Sequence, residues 1–408
     1  MYVVEDKGGA IALMIASLCF LGTWPAILNS LERKGRLLQH SYLDYSITSF
    51  LGAVIIAFTL GQIGSSQPES PNFLTQLGQD NWPSVAFALA GGLVLSVGNL
   101  AAQYAWPFVG LSATNVISSS LSVLVGGTLN YFLDGRINRA ELLFPGIGFF
   151  LFAACLGSLL YASNTADTKA KVELARKNSE PTAADPEESG EIGDKGEKGQ
   201  DDLSLLLKEN ASKKESPGSA EFFEKLNAKR TVKFESASYI FGLAIVFFAG
   251  FCYALFSPAI NLATNDQWHY LKPGVPHLVV YTAFFYFSCA AFAFGVGINL
   301  IFLYRPMLGL PKSTISAWLR DWEGRWWAFS AGLLCSCGNG FQFMGGEAAG
   351  FAAADCVQAL PLVSTVWAIL IFQEYHQSSR RTYVLLVAML MMFTVAVVLL
   401  ASSAGHRS

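Results

Sequence analysis

"GGLVLSVGNLAAQY" at residues 91–104 recurs 240 residues later as "AGLLCSCGNGFQFM" at 331–344. Gly92, Leu93, Ser96, Gly98 and Asn99 match Gly332, Leu333, Ser336, Gly338 and Asn339. The register continues without a gap through Gly110/Gly350, Ala113/Ala353, Asn115/Asp355, Phe132/Phe372 and Asp134/Glu374, giving nine identities over the 45 positions 92–136. Further upstream, "CFLGTWPAI" at 19–27 echoes "CYALFSPAI" at 252–260. The chain therefore reads as an internal duplication. Cys335 and Cys337 look like a redox or metal pair, but they stand opposite Leu95 and Val97, so what the duplication keeps is Gly, Ser, Gly and Asn rather than sulfur. The seven cysteines all lie in apolar stretches without zinc-type spacing, which argues against a metal site and a disulfide framework.

Composition says what each copy is made of. Hydrophobic residues make up 52% of the 408 and charged residues only 14%, against about 25% charged in soluble proteins. A spanning helix needs about 20 mostly apolar residues. Ten segments qualify: 9–31, 43–64, 84–106, 107–133, 142–163, 238–263, 278–303, 327–346, 349–372 and 382–403. The first is expected to be a retained span rather than a secretory signal, because Glu5 and Asp6 precede it and it is too long for a signal's apolar core. Five spans per copy is an odd number, so the second copy must enter the membrane inverted. The expected fold is an all-α membrane protein of ten transmembrane helices in a 5+5 inverted repeat, with halves 1–163 and 237–408. In transporters such repeats place the substrate site near the midplane between the halves.

Residues 164–236 differ in chemistry, holding 13 of the 27 Lys and Arg and 16 of the 30 Asp and Glu. They read as a hydrophilic, largely disordered loop that cannot bury a core, ending in "AEFFEKLNAKR", which has the pattern of a short membrane-surface helix. Gly190, Gly193, Gly196 and Gly199 lack the GxxxxGK spacing of a phosphate loop, so no ATP or other cofactor is expected. A net charge of −3 carries no footprint for nucleic acid. With both termini extracytoplasmic and the loop cytosolic, 22 of the 27 Lys and Arg fall inside, or nine against five when the long loop is set aside.

Polar groups within spans point to the pathway. Asp355 and Glu347 are the candidate proton-coupling carboxylates, Asp355 preferred for its depth in span nine and for the neutral Asn115 that matches it in the other copy. Asn99, Gln103, Tyr104, Asn115, Asn339, Phe341, Gln342 and Gln358 are candidate substrate contacts, with helix packing as the bland alternative. Trp24 joins them because Pro25 follows it inside a span; Pro25 and Pro258 are candidate hinges. Asp44 reads as interfacial, and no histidine falls within a span, so His40 is expected in a loop.

"KGGAIALMIASLCFLGTWPAILNSLERKGRLLQHSYLDYSITSFLGAVIIAFTLGQIG" resembles the N-terminal signature of the plant ureide permeases, and the resemblance covers essentially the whole chain. It implies a plant membrane transporter, a proton-coupled carrier of allantoin and related oxo-derivatives of nitrogen heterocycles such as uracil, xanthine and 5-fluorouracil; the plasma membrane is the expected location, with an endomembrane as the alternative. The five-plus-five repeat also resembles the drug/metabolite transporter superfamily. Some ureide permeases carry a Walker A-like string in the central loop, and this sequence departs from that pattern. The expected partners are a small heterocycle, protons and the lipid bilayer. A passive facilitator is the nearest alternative. An enzyme is disfavoured, because no nucleophile–base pair or metal-ligand set converges within the spans.

Overall fold

The computed structural model describes residues 2, 4, 6–68, 70–179, 239–376 and 378–405, and among these every regular element is helical. The end of the expected loop, its surface helix included, lies outside the described residues. The long helices are α1 (Lys7–Arg33), α2 (Leu38–Phe58), α3 (Trp82–Val109), α4 (Leu111–Leu133), α5 (Ala140–Ser179), α6 (Tyr239–Asn265), α7 (Val280–Tyr304), α8 (Arg325–Ala349), α9 (Phe351–Leu370) and α10 (Arg380–Ser402). Among the described residues, nine of these are long and apolar enough to cross a membrane. The exception is α8, which has the length, 25 residues, but is diluted by glycine and by Ser336, Asn339, Gln342 and Glu347.

Local chemistry explains where several helices start and stop. The Asp6 carboxylate accepts from the Gly9 N–H at 3.0 Å and caps α1. α3 stops at Gly110 and α8 at Gly350, with φ of +88° and +95°. Only glycine takes up that conformation without steric cost, so each chain turns directly into the next helix without a loop. The next helices are irregular. α4 carries a π-type turn over Ser122–Gly126, and α9 is interrupted by a 3-10 turn over Asp355–Gln358. Pro25 and Pro258 lie inside α1 and α6 without ending either helix.

Two of the boundaries that differ from hydropathy are informative. α2 begins at Leu38 instead of 43, so His40 is helical and buried, a correction to its expected place in a loop. The reason is tertiary: the polar start of α2 is covered by the segment before α8. His40 Nδ1 lies 2.7 Å from Asp321 Oδ2 and its Nε2 lies 2.7 Å from Ser313 Oγ. α5 continues past 163 to Ser179, because "NTADTKAKVELARKNS" loses hydrophobicity but keeps the Ala, Lys, Glu, Arg and Leu that favour helix.

Helix contacts cross between distant parts of the chain. α1 packs on α8 and α3 on α6; α2 lies against α7 and α8, α7 against α3, and α5 against α10. Glycine makes the closest approaches possible. A Cβ on Gly332 of α8 would overlap the α2 backbone at Tyr45, and one on Gly92 of α3 would overlap the α7 backbone at Phe287. Phe343 sits in an aromatic cluster, 5.2 Å from the Phe287 ring and 5.7 Å from the Phe284 ring.

Candidate functional site

The two central pairs, α1–α8 and α3–α6, together with α4 and α9, enclose a cavity lined by Trp24, Pro25, Asn99, Asn115, Asn339 and Gln358 among others. Its walls are aromatic. Trp24 stacks on Tyr45 of α2 at 5.1 Å between ring centroids and 30° between planes, and Trp106 of α3 lies 6.3 Å from Trp24. A second recess, between α2, α3, α7 and α8, shares Leu95, Asn99, Cys335 and Asn339 with the first.

A hydrogen-bond chain fixes the shared wall. Tyr253 of α6 donates its hydroxyl to Asn99 Oδ1 at 2.9 Å. Asn99 Nδ2 donates to Tyr45 Oη at 3.1 Å, and Tyr45 donates to Cys335 Sγ at 2.9 Å. Asn339 Nδ2 donates to the Cys335 carbonyl at 3.0 Å. Cys335 is thus an acceptor at the cavity wall as well as a small packing residue. Other polar atoms of the wall have no protein partner: Trp106 Nε1 and Asn115 Nδ2 are buried without an acceptor. The lining carries no ionisable carboxylate, lysine or arginine. Chemically the cavity suits a flat, uncharged, amide-rich molecule, with rings against its faces and amide and indole N–H groups at its edge.

Trp24, Asn99, Asn115, Asn339 and Gln358 are therefore brought together from five different helices. Four other candidates do not line this space. Gln103 and Gln342 are buried elsewhere, with Gln103 Nε2 and both Gln342 amide atoms unpartnered in the protein. Tyr104 meets Phe302 of α7 edge-on at 5.8 Å, and Phe341 packs 5.8 Å from Phe20. Glu347 is half-buried near the end of α8.

Asp355 lies behind the wall, three residues before Gln358, where α4, α6 and α9 meet. It is 1% exposed, and Asn130 Nδ2 donates to its Oδ2 at 3.1 Å. Asn130 also donates to Ser257 Oγ at 2.9 Å and accepts from Asn261 Nδ2 at 3.2 Å. Asn265 and Gln267 donate in turn to Asn261 Oδ1 at 2.6 and 2.8 Å, so a file of amides runs from the carboxyl group to the end of α6.

Sequence reading passed over Trp106, Tyr45 and Tyr253. Trp106 could have been found, since it is followed by Pro107 as Trp24 is by Pro25, but the expected boundary at 106/107 separated the pair. A buried charge cluster at one end of the bundle was also missed. Asp44 is 1% exposed, not interfacial, because Arg36 Nη2 donates to its Oδ2 at 2.6 Å, Arg325 Nε to the same oxygen at 3.2 Å, and Trp318 Nε1 to its Oδ1 at 2.9 Å. Burial in this cluster lowers the Arg36 pKa, while Asp321 and Asp44 oppose that shift.

Among the described residues, nine helices long and apolar enough to cross a membrane mark a multi-pass membrane protein, and a polar cavity without a charged side chain lies within the bundle. The ureide permease family model matches residues 41–403. Similar proteins include "Ureide permease 2" of Arabidopsis thaliana, 59% identical over 410 residues and covering all of both chains. "Ureide permease 1" of the same plant is 58% identical, again over all of both chains. "Probable ureide permease A3" of Vigna unguiculata is 51% identical over 94% of this chain and all of its own. No solved structure matches. The chain belongs to the ureide permease family, and its relatives are transporters and not enzymes.

Proposed function

We propose that the chain is a proton-coupled secondary transporter that imports allantoin and related oxo-derivatives of nitrogen heterocycles, among them uracil, xanthine and 5-fluorouracil, across the plasma membrane. The observation that carries this reading is the cavity of Trp24, Trp106 and four amide side chains, which offers ring faces and hydrogen-bonding edges but no charged clamp. The relatives' names speak of ureides, molecules of that chemistry.

The same reading takes the fold as ten crossings in two inverted halves. Lys7 Nζ, at the start of α1, donates to the Ala404 carbonyl just past α10 at 2.8 Å, so the first helix begins and the last helix ends at the same end of the bundle. An odd number of crossings would separate them, which favours α8 as the tenth. Its polar residues are tolerable because it packs between α1 and α2 rather than facing lipid. Exchanging the halves also exchanges the contacts: α1–α8 becomes α6–α3, α2–α8 becomes α7–α3, while α2–α7 and α5–α10 map onto themselves. The positive-φ glycines Gly110 and Gly350 stand at the same offset as the repeat.

Proton coupling is assigned to Asp355, which accepts from the neutral Asn130, lies near Ser257 and the acidic Asp134, and whose turn leads directly to Gln358 in the cavity wall. A carboxyl group within a span tends to mark a proton or substrate pathway. Glu347 is the second choice. The test is uptake of labelled allantoin and uracil into vesicles with and without an inward proton gradient. Accumulation above the external concentration that collapses with a protonophore is expected, and Asp355→Asn is expected to keep exchange and lose gradient-driven accumulation. Equilibration without accumulation in the wild type would instead establish a facilitator. Unchanged accumulation in Asp355→Asn would transfer the role to Glu347.

A further inference from the structure

Several polar groups of the cavity wall are already engaged, and the two fully enclosed atoms of the lining that are not engaged are both donors. Asn99 is held at both ends of its amide by Tyr45 and Tyr253. Asn339 Nδ2 is occupied by the Cys335 carbonyl. By contrast Trp106 Nε1 and Asn115 Nδ2 are both enclosed, both without an acceptor in the protein, and both on the lining of the same cavity. Their residues are 1% and 5% exposed, so solvent does not satisfy them from outside. They belong to adjoining helices, Trp106 on the last turn of α3 and Asn115 on the first turns of α4, joined by the tight corner at Gly110. Leaving a buried donor unpaired costs stability. Two such donors at one corner, beside the Trp24 ring, form a place waiting for an acceptor.

We infer that Trp106 and Asn115 form a paired-donor subsite that reads exocyclic carbonyl oxygens on a planar ring lying in the cavity, with the Trp106 N–H setting specificity. This rests on the transport reading and deepens it. A carbonyl oxygen completes both donors. An exocyclic amino group would set N–H against N–H, and a ring carbon bearing only hydrogen would leave a donor buried and unpaired, so both are discriminated against. Trp106 is the informative residue because phenylalanine keeps most of its ring area and packing on Trp24 while removing the one N–H.

The test pairs that substitution with deletion of each carbonyl from the ligand. Uracil, pyrimidin-2-one and pyrimidin-4-one compete against labelled uracil uptake by wild type and by Trp106→Phe at equal surface expression. Wild type is expected to bind one of the mono-oxo rings about tenfold more weakly than uracil, as for loss of one good hydrogen bond. Trp106→Phe is expected to bind uracil about tenfold more weakly with the maximal rate within about twofold of wild type, and to show no further loss for the ring that lacks the carbonyl served by Trp106. Equal weakening for all three rings, or none, would overturn the inference while leaving transport intact. Asn115→Asp, which exchanges the donor for acceptors at the same size, supplies a second arm should Trp106→Phe fail to reach the membrane; unchanged uracil affinity there would also overturn it. Absence of uracil uptake by wild type would overturn the transport reading, and this inference with it.

Discussion

Cys335 shows how a single side chain can serve two purposes. Its thiol is buried between α2 and α8, where a small residue is needed, and its sulfur accepts from Tyr45 at 2.9 Å and from Asn339 Nδ2 at 3.3 Å. Cys337, half-buried two residues on, has no such role in the wall. The two should therefore respond differently to substitution. Cys337→Ala is expected to leave uptake unchanged. Cys335→Ala should raise the KM for uracil severalfold by freeing the Tyr45 hydroxyl and loosening its stack on Trp24, and Cys335→Ser, which restores an acceptor, should recover most of the loss. Equal tolerance at both positions, read in initial uptake rates, would reduce Cys335 to a packing residue. The polar cavity residues that were legible in advance, Asn99, Asn115, Asn339 and Gln358, share one property: each stands out as a polar side chain inside an otherwise apolar run. Tyr45 and Tyr253 did not stand out, because an aromatic in a membrane helix usually faces lipid or a neighbour and its sequence surroundings do not say which.

Helix pairs in this bundle are held at their closest points by glycines facing backbone. A methyl group on Gly332 would run into Tyr45 and Thr48 of α2, and the neighbouring backbone cannot yield as a side-chain tip can. Gly297 of α7 faces open space, with nothing within 4 Å of a would-be Cβ. Gly332→Ala is thus expected to lower the melting temperature in detergent by several degrees or to prevent folding, a cost of about 1–3 kcal/mol for overpacking, whereas Gly297→Ala should be neutral or slightly stabilising through helix propensity. Fluorescence-detected size exclusion after heating would read both; equal behaviour would refute the close-approach account. The shared motif drew attention to Gly332 in the sequence, but the contrast with Gly297 depends on which face of each helix meets a partner. The irregular turn at Asp355–Gln358 had a local signal that the sequence reading did not use, Pro361 just beyond it, whereas the π-type turn at Ser122–Gly126 follows no proline.

Across the whole molecule the two ends of the bundle differ in chemistry. One end gathers Lys7, Ala404, Asn138 and Ala349, with Asn138 Nδ2 donating to the Ala349 carbonyl at 3.0 Å. The other carries Arg36, Asp44, Asp321 and Arg325, tying the α1–α2 corner to the segment before α8. Assigning the charged end to the cytosol also puts the central segment there. Asn210 in "NAS", outside the described residues, is the one N-glycosylation sequon of the sequence and should then stay unmodified. An endoglycosidase-sensitive mass shift that vanishes in Asn210→Gln would reverse the orientation. Hydropathy, summed along the chain, was enough to define a helical multi-pass protein, and the 240-residue echo was enough to point to the Asn99 and Asn339 wall. Only the tertiary structure turned Asp44 from an interfacial carboxylate into a buried ion partner, placed Asp355 behind the cavity wall, and left Trp106 and Asn115 as the open donors. Solubility in lipid is a property each segment carries by itself, whereas a hydrogen-bond partner is supplied by whichever helix the fold brings alongside, 290 residues away in the case of Tyr45 and Cys335.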